Sequence, residues 1–169
     1  MLETSGELDE LDALLAASMR VATEHLRNIM DQPTRSLTGR EVAKLLTGMK
    51  TLALATVSRS GEPRISGVDG HFLHGRWVFT TSGRAAKARQ LRQRPAASAA
   101  HIDGDDLGVY AHGRVEFLDP ANPDFAGIEE HLTAHYGSSP SSWGDDIVYL
   151  RLQPHWMVGY AFDKAKLLG

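Results

Sequence analysis

Between residues 8 and 29 apolar side chains return every three or four positions: Leu8, Leu11, Leu14, Leu15, Met19, Val21, Ala22, Leu26 and Ile29, with no Gly or Pro inside the stretch. The spacing predicts one long amphipathic helix, closed by Pro33. A second, shorter helix is expected after Gln32-Pro33-Thr34-Arg35. Thr38-Gly39-Arg40-Glu41 has the spacing of a capping box, Val42, Leu45 and Leu46 supply its apolar face, and it ends near Gly48. From Lys50 the period changes from helical to alternating. Thr51 to Val57, Arg64 to Leu73 and Trp77 to Thr81 read as strands, separated by the turn residues Ser58-Arg59-Ser60-Gly61-Glu62-Pro63 and His74-Gly75-Arg76. A helix of under three turns follows, with Ser82-Gly83 as its expected cap and Pro95 as its stop. Ala97 to Ile102 and Val109 to Leu118 are strands, Phe125 to Tyr136 a helix, and Ile147 to Leu152 plus Trp156 to Phe162 closing strands. About six short strands with brief helical excursions predict a mainly β, α+β fold: an antiparallel barrel with flanking helices, not a doubly wound sheet. The expected organisation is an N-terminal helical extension over 1–48 and a barrel domain over 49–169.

Composition narrows the chemistry. With 169 residues, 42% hydrophobic and 23% charged, the chain forms about one domain and buries a core. It has no cysteine, which removes disulfides, thiolate metal sites, iron–sulfur clusters and cysteine nucleophiles together. Redox chemistry, if present, comes from a bound cofactor. No run approaches the about 18 apolar residues a membrane span needs. Met1 to Glu10 is acidic, unlike a secretory or transit peptide. A cytoplasmic protein with no membrane partner is expected.

The net charge of −3 hides an asymmetry. Residues 70–102 contain no Asp or Glu but carry Arg76, Arg84, Lys87, Arg89, Arg92 and Arg94, so this segment is +6 and the remainder −9. A local anion site follows. Thr80, Thr81 and Ser82 add hydroxyls where a strand hands over to a helix, and the free N–H groups of that helix start favour a phosphate. A solvated basic face on a short helix accounts for the same charges. A nucleic-acid partner is not expected, because the overall charge is acidic and no aromatic residues interleave with the basic ones.

The histidines and acidic residues offer less. His131 and His135 lie four apart on a helix, a spacing that can place two imidazoles on one metal, but the HExxH order is absent and an exposed helix face is expected. His71, His74 and His112 read as ordinary strand and turn residues. Asp103, Asp105 and Asp106 resemble part of a calcium loop without its later Gly and Glu, so a turn is expected. No metal site is assigned. Trp143 and Trp156 would cover a ligand or fill an interface.

Leu54-Ala55-Thr56-Val57 with Gly61-Glu62-Pro63, then Trp77-Val78-Phe79-Thr80-Thr81, then Lys87-Ala88-Arg89-Gln90-Leu91-Arg92-Gln93-Arg94-Pro95 resemble the pyridoxamine 5′-phosphate oxidase-like split β-barrel superfamily. The K-x-R-x-L-R-x-x-P element is similar to its branch of F420-dependent oxidoreductases and F420-binding proteins. The resemblance covers roughly residues 50–118. It implies a six-stranded antiparallel split barrel, a homodimer, and a flavin or deazaflavin held at the subunit interface. Carried over by position, Lys87 would contact the cofactor phosphate, with Thr80, Thr81, Ser82 and Arg89 nearby. Ile65, Ser66, Gly67 and Val68 would lie along the ring, and Trp77 would be core. The cofactor carries the hydride chemistry in such proteins, so no catalytic side chain is assigned. The implied activity is F420-dependent hydride transfer to a small conjugated substrate. Two readings stand beside it: an FMN-dependent oxidase or reductase, and a non-catalytic protein that binds a cofactor or haem. Residues 150–169 lack a clear version of the basic and aromatic motif with which pyridoxamine phosphate oxidases bind substrate phosphate. Extra cations such as Arg59, Arg64 or Arg92 would suit F420's acidic tail.

Overall fold

The computed structural model describes residues 2–169; Met1, at the head of the acidic N-terminal stretch, lies outside the described residues. Six strands close into one antiparallel barrel: β1 (Met49–Val57), β2 (Pro63–Leu73), β3 (Arg76–Ser82), β4 (Ala96–Asp103), β5 (Leu107–Leu118) and β6 (Ile147–Ala161). Their order around the barrel is β1-β2-β3-β6-β5-β4. The fold is the α+β barrel that the alternation predicts. His74 and Gly75 both have positive φ (54° and 73°), the backbone that a tight two-residue hairpin between β2 and β3 requires.

Six helices flank the barrel: α1 (Ser5–Arg20), α2 (Glu24–Met30), α3 (Gly39–Leu45), α4 (Ala86–Gln93), α5 (Phe125–Tyr136) and α6 (Lys164–Leu168). The long N-terminal stripe is two helices instead of one. Thr23 stops the run by offering its hydroxyl to the Leu26 N–H (3.3 Å), which starts α2, and it leaves Val21 exposed at the break. Thr38 and Glu41 form the expected capping box. The two closing strands are one continuous strand, β6. Pro154 lies inside it because the β5–β6 register shifts between His112 and Gly113, a bulge that accommodates a residue without an N–H.

Barrel residues including Leu52, Leu54, Phe72, Trp77, Phe79, Leu150 and Met157 form the main core, and Leu8, Leu11 and Leu15 of α1 belong to the same cluster. Ser18 of α1 accepts the Met157 N–H with its hydroxyl (2.8 Å), so the helix also satisfies a backbone group of β6. A second, smaller cluster lies outside the barrel, where Ile128 and Leu132 of α5 meet Leu73, Val78, Leu118 and Tyr149. Among the described residues no helix is long and apolar enough to cross a membrane.

Candidate functional site

The barrel ladder is open along one seam. β2 pairs with β1 from Pro63 to His71, but with β3 only from Gly70 to Leu73. Beyond Phe79, β3 pairs only with β6, Thr80 lying opposite Tyr149 and Ser82 opposite Ile147. Continuing the β2–β3 register would set Gly67 against Ser82, Val68 against Thr81 and Asp69 against Thr80, yet no ladder forms there. Two strand edges therefore face each other with backbone N–H and C=O groups available to a ligand. The residues marked out in the sequence, Ile65 to Val68 and Thr80 to Ser82, are the two lips of this seam. Strand alternation divides their side chains. Val68 is buried in the main core and leaves only its backbone on the seam, Ile65 is 75% exposed, and a Cβ at Gly67 would enter open space.

The helix that follows the seam is built differently from the expectation. Ser82 and Gly83 do not cap α4; its N-cap is Ala85, which has no side chain to offer. Ser82 instead donates to Asp146 Oδ2 (2.8 Å) and accepts the Arg84 N–H (3.1 Å), while the Gly83 N–H donates to the Asp146 carbonyl (2.7 Å). These bonds hold the end of β3 against the loop before β6. The N–H groups of Ala86, Lys87 and Ala88 in the first turn are left without a side-chain acceptor.

Most of the basic side chains are structural. Arg84 pairs with Asp146 (3.4 Å), Arg89 donates to the Arg84 carbonyl (2.6 Å), and Arg92 donates to the Gly83 carbonyl (2.6 Å) while lying over the Phe117 ring at 5.0 Å. Arg94 donates to the carbonyls of Ser58 and Arg59 in the β1–β2 turn. Arg89, Arg92 and Arg94 thus fix backbone carbonyls, while Arg84 meets a carboxylate. Lys87 is half-buried and forms neither an ion pair nor a hydrogen bond among the described residues, and the Thr80 and Thr81 hydroxyls likewise have no partner there. Ala88 and Leu91 anchor α4 in the core, and the buried Thr56 hydroxyl donates to Gln90 (2.6 Å), fixing the helix at this end of the barrel. An uncapped helix start, an unpaired lysine and a surplus of guanidiniums fit an anionic group such as a phosphate. The open strand edges fit a flat ring with carbonyl and N–H groups on its rim.

A cluster that the sequence did not show lies on the outer face of β2. His71 is 1% exposed. Its Nδ1 is 3.2 Å from His131 Nε2 and its Nε2 is 3.1 Å from the Tyr136 hydroxyl, and the His135 ring packs edge-on at 4.8 Å. Burial, with the neighbouring charges of His131 and His135, pushes His71 down to about 4. Burial also lowers His131 and raises the Tyr136 phenol. The four-residue spacing of His131 and His135 was the visible half of this arrangement; the third imidazole comes from a strand 60 residues away. Among the described residues no three His, Asp or Glu side chains converge as metal ligands.

The remaining expectations resolve individually. Trp77 is core, and its indole N–H is the one buried side-chain donor without a partner among the described residues. Asp103 to Asp106 form the β4–β5 turn, with the Asp106 N–H donating to the Asp103 carbonyl (3.1 Å). His74 pairs with Glu7 (3.0 Å) and ties α1 to the β2–β3 hairpin. His112 Nδ1 bonds the Ser98 hydroxyl (2.8 Å) and the ring stacks on Trp156 (4.5 Å, 15°). With Tyr110, Tyr160 and the α2 residues Leu26 and Ile29, that stack lines an open apolar concavity of about 450 Å³.

The sequence profile of the pyridoxamine 5′-phosphate oxidase family matches residues 38–159, most of the chain. The chain belongs to this family. No curated protein sequence matches it significantly. Three solved structures show how widely the fold is shared. A conserved hypothetical protein of Mycobacterium tuberculosis is 20% identical with TM-score 0.66, covering 80% of this chain and 91% of that one. HutZ, the haem storage protein of Vibrio cholerae, is 19% identical with TM-score 0.61, covering 72% and 93%. An F420 reductase is 24% identical with TM-score 0.54, covering 68% and 93%. At these identities the likeness is one of fold. The family match begins at the α3 cap, and α1 and α2 precede it in the chain.

Proposed function

We propose that this chain is a homodimeric oxidoreductase that binds F420 along the β2–β3 seam and transfers hydride to a small conjugated substrate. The observation that carries this reading is the seam itself, two unpaired strand edges leading into the uncapped, lysine-bearing start of α4. A deazaflavin or flavin bound there would supply the hydride. The protein's part is to bind and orient. The Ile65 to Val68 edge takes the rim of the ring. Lys87, with the first-turn N–H groups and the Thr80 and Thr81 hydroxyls, takes the phosphate. Ser82 and Asp146 hold the turn between them, and Arg89 adds positive field without leaving the Arg84 carbonyl. F420 is favoured over FMN by the further cations at the same end of the barrel. Arg59 and Arg94 meet in the β1–β2 turn, and Arg64 follows, paired only with the exposed Glu62 (2.5 Å). A polyanionic tail beyond the phosphate would lie against them. The structural likeness to an F420 reductase supports the same choice.

The dimer is argued from the outer face of β1, β4 and β5. Ala53, Ala55, Ser98 and Ala100 make it flat, while Ile65 and Ile102 stand exposed beside it. A second reading, a non-catalytic binder of a cofactor or haem, is favoured by one fact: the two lips carry no titratable side chain, and Asp69 stands alone where they meet. The likeness to a haem storage protein agrees with it.

The deciding experiment is titration of the purified protein with F420, FMN and haem, followed by absorption and fluorescence, with the oligomeric state measured by light scattering. F420 binding tighter than FMN, by a dimer, and turnover of enone-type substrates with reduced F420 is the expected result. Tight F420 binding without turnover selects the carrier reading. If none of the three binds, the cofactor assignment fails.

A further inference from the structure

The helix α5 rests on the barrel through the small outer cluster, the histidines with Tyr136, and its cap residue Asp124. Its apolar contacts, Ile128 and Leu132 on Leu73, Val78, Leu118 and Tyr149, are separate from the main core. Its two ends are fastened by different chemistry. At the N-terminal end Asp124 pairs with the buried Arg151 (2.6 Å), which also holds Glu116 (2.5 Å). Arg151 holds the Asp124 carboxyl below the usual range, and the nearby His74 and Arg76 act in the same sense. At the C-terminal end the fastening is His71 on β2 against His131, His135 and Tyr136, with Trp143 from the following loop packed on Tyr136 at 4.9 Å. Glu129 binds the Ser139 and Ser141 hydroxyls, which keep its carboxyl ionised, and so ties that loop to the helix. The carboxylate facing the cluster is Asp69, whose charge is felt at Tyr136.

We propose that α5 is an acid-released flap: on mild acidification the His71, His131 and His135 cluster takes up charge, and the C-terminal half of α5 with its loop lifts off the β2–β3 face. Three imidazoles this close cannot all be charged while packed: His71 is buried, its Nδ1 lies 3.2 Å from His131 Nε2 and its ring 4.8 Å from that of His135, so each added charge is poorly hydrated and repelled by the next. Released, they ionise in water. The Asp124–Arg151 pair persists as a carboxylate–guanidinium contact to lower pH, because Arg151 holds the Asp124 carboxyl below its usual range, so the N-terminal end stays fastened and acts as the hinge. What the movement uncovers is the outer side of β3, where Val78 and Thr80 lead to the mouth of the seam beside Asp69. Burial of His71 weakens its hold on a proton in the closed state relative to the open one. Going from an ordinary value near 6.5 to about 4, that residue alone favours opening about 30-fold more at pH 5 than at pH 8. The sign follows from the depressed value: closed-state stability is complete above about 6.5, falls as pH drops, and stops falling below about 4.

The test is hydrogen exchange of the full chain at pH 7.5 and pH 5.0, corrected for intrinsic exchange, read in peptides of α5 and of β5–β6. Loss of protection in residues 130–143 with an unchanged barrel is the expected result, accompanied by a change in Trp143 emission over the same interval. His71→Gln keeps a hydrogen-bonding side chain but does not titrate, and the pH dependence should shrink to the part that His131 and His135 supply. Should this variant fail to fold, the His71 titration read by NMR in the unmodified protein decides, with a midpoint below the ordinary imidazole value expected. Equal loss of protection in α5 and barrel, no loss in either, or a His71 midpoint near 6.5 would overturn the proposal.

Discussion

Replacing Lys87 by alanine separates the proposed cofactor site from the fold. The side chain is half-buried at the second position of α4 and contacts no acceptor among the described residues, so its removal breaks no hydrogen bond or ion pair of the protein. Alanine is also the better helix former, so thermal stability without cofactor should be unchanged or slightly raised. The loss falls on the ligand. A charge-assisted bond from a lysine to a phosphate contributes about 1.5–3 kcal/mol, which corresponds to about 10- to 150-fold in dissociation constant. The difference should narrow as salt is raised from low to physiological ionic strength, because the site opens to solvent. Arg92→Ala is the contrast. It removes the bond to the Gly83 carbonyl and the packing on Phe117, so it should lower the melting temperature as well as affinity. Fluorescence titration with F420 and FMN, paired with thermal unfolding of the cofactor-free protein, measures both. Lys87→Ala binding both cofactors within twofold of the parent, or losing affinity only in step with melting temperature, would refute the assignment of Lys87 to the phosphate.

Other substitutions probe the scaffold. Leu132→Ala removes the centre of the outer cluster and should cost about 2–5 kcal/mol in urea unfolding; a cost under 1 would mean that α5 is not packed as described. At Gly113 an added Cβ would sit 2.1 Å from the Gln153 carbonyl, a backbone atom that cannot swing away, so Gly113→Ala should destabilise the β5–β6 bulge and cut soluble yield; an unchanged melting temperature would contradict that register. Deleting residues 2–22 exposes the core face of the barrel under Leu8, Leu11 and Leu15 and orphans the Met157 N–H, so loss of cooperative unfolding by circular dichroism is expected, and an intact sharp transition would show the helix to be dispensable.

Local signals in the chain were enough for the elements and the barrel. Alternation in β1 to β5, the Thr38 and Glu41 capping box and the His74-Gly75 turn are each written in adjacent residues, and backbone sterics read them without help from distant parts. The basic segment and the Thr80 to Ser82 hydroxyls were legible for the same reason, since charge and hydroxyl spacing are properties of sequence, whereas Ile65 to Val68 were marked only by the family resemblance. What tertiary structure decided depended on partners far apart. Asp146 arrives from the loop before β6 and captures Ser82, so the expected helix cap became a clasp on β3 and the start of α4 stayed bare. A bulge opposite His112 and Gly113 let one strand run through Pro154. His71, an ordinary alternating strand residue, became a buried imidazole because α5 folds back over β2 and brings His131 with it. The sequence by itself determined which side chains carry charge and which segments extend or coil, because those depend on neighbours a few residues away. Only the closed barrel determined which of those charges stay unpaired and which rings lose their water, because pairing and burial depend on residues up to 139 positions apart.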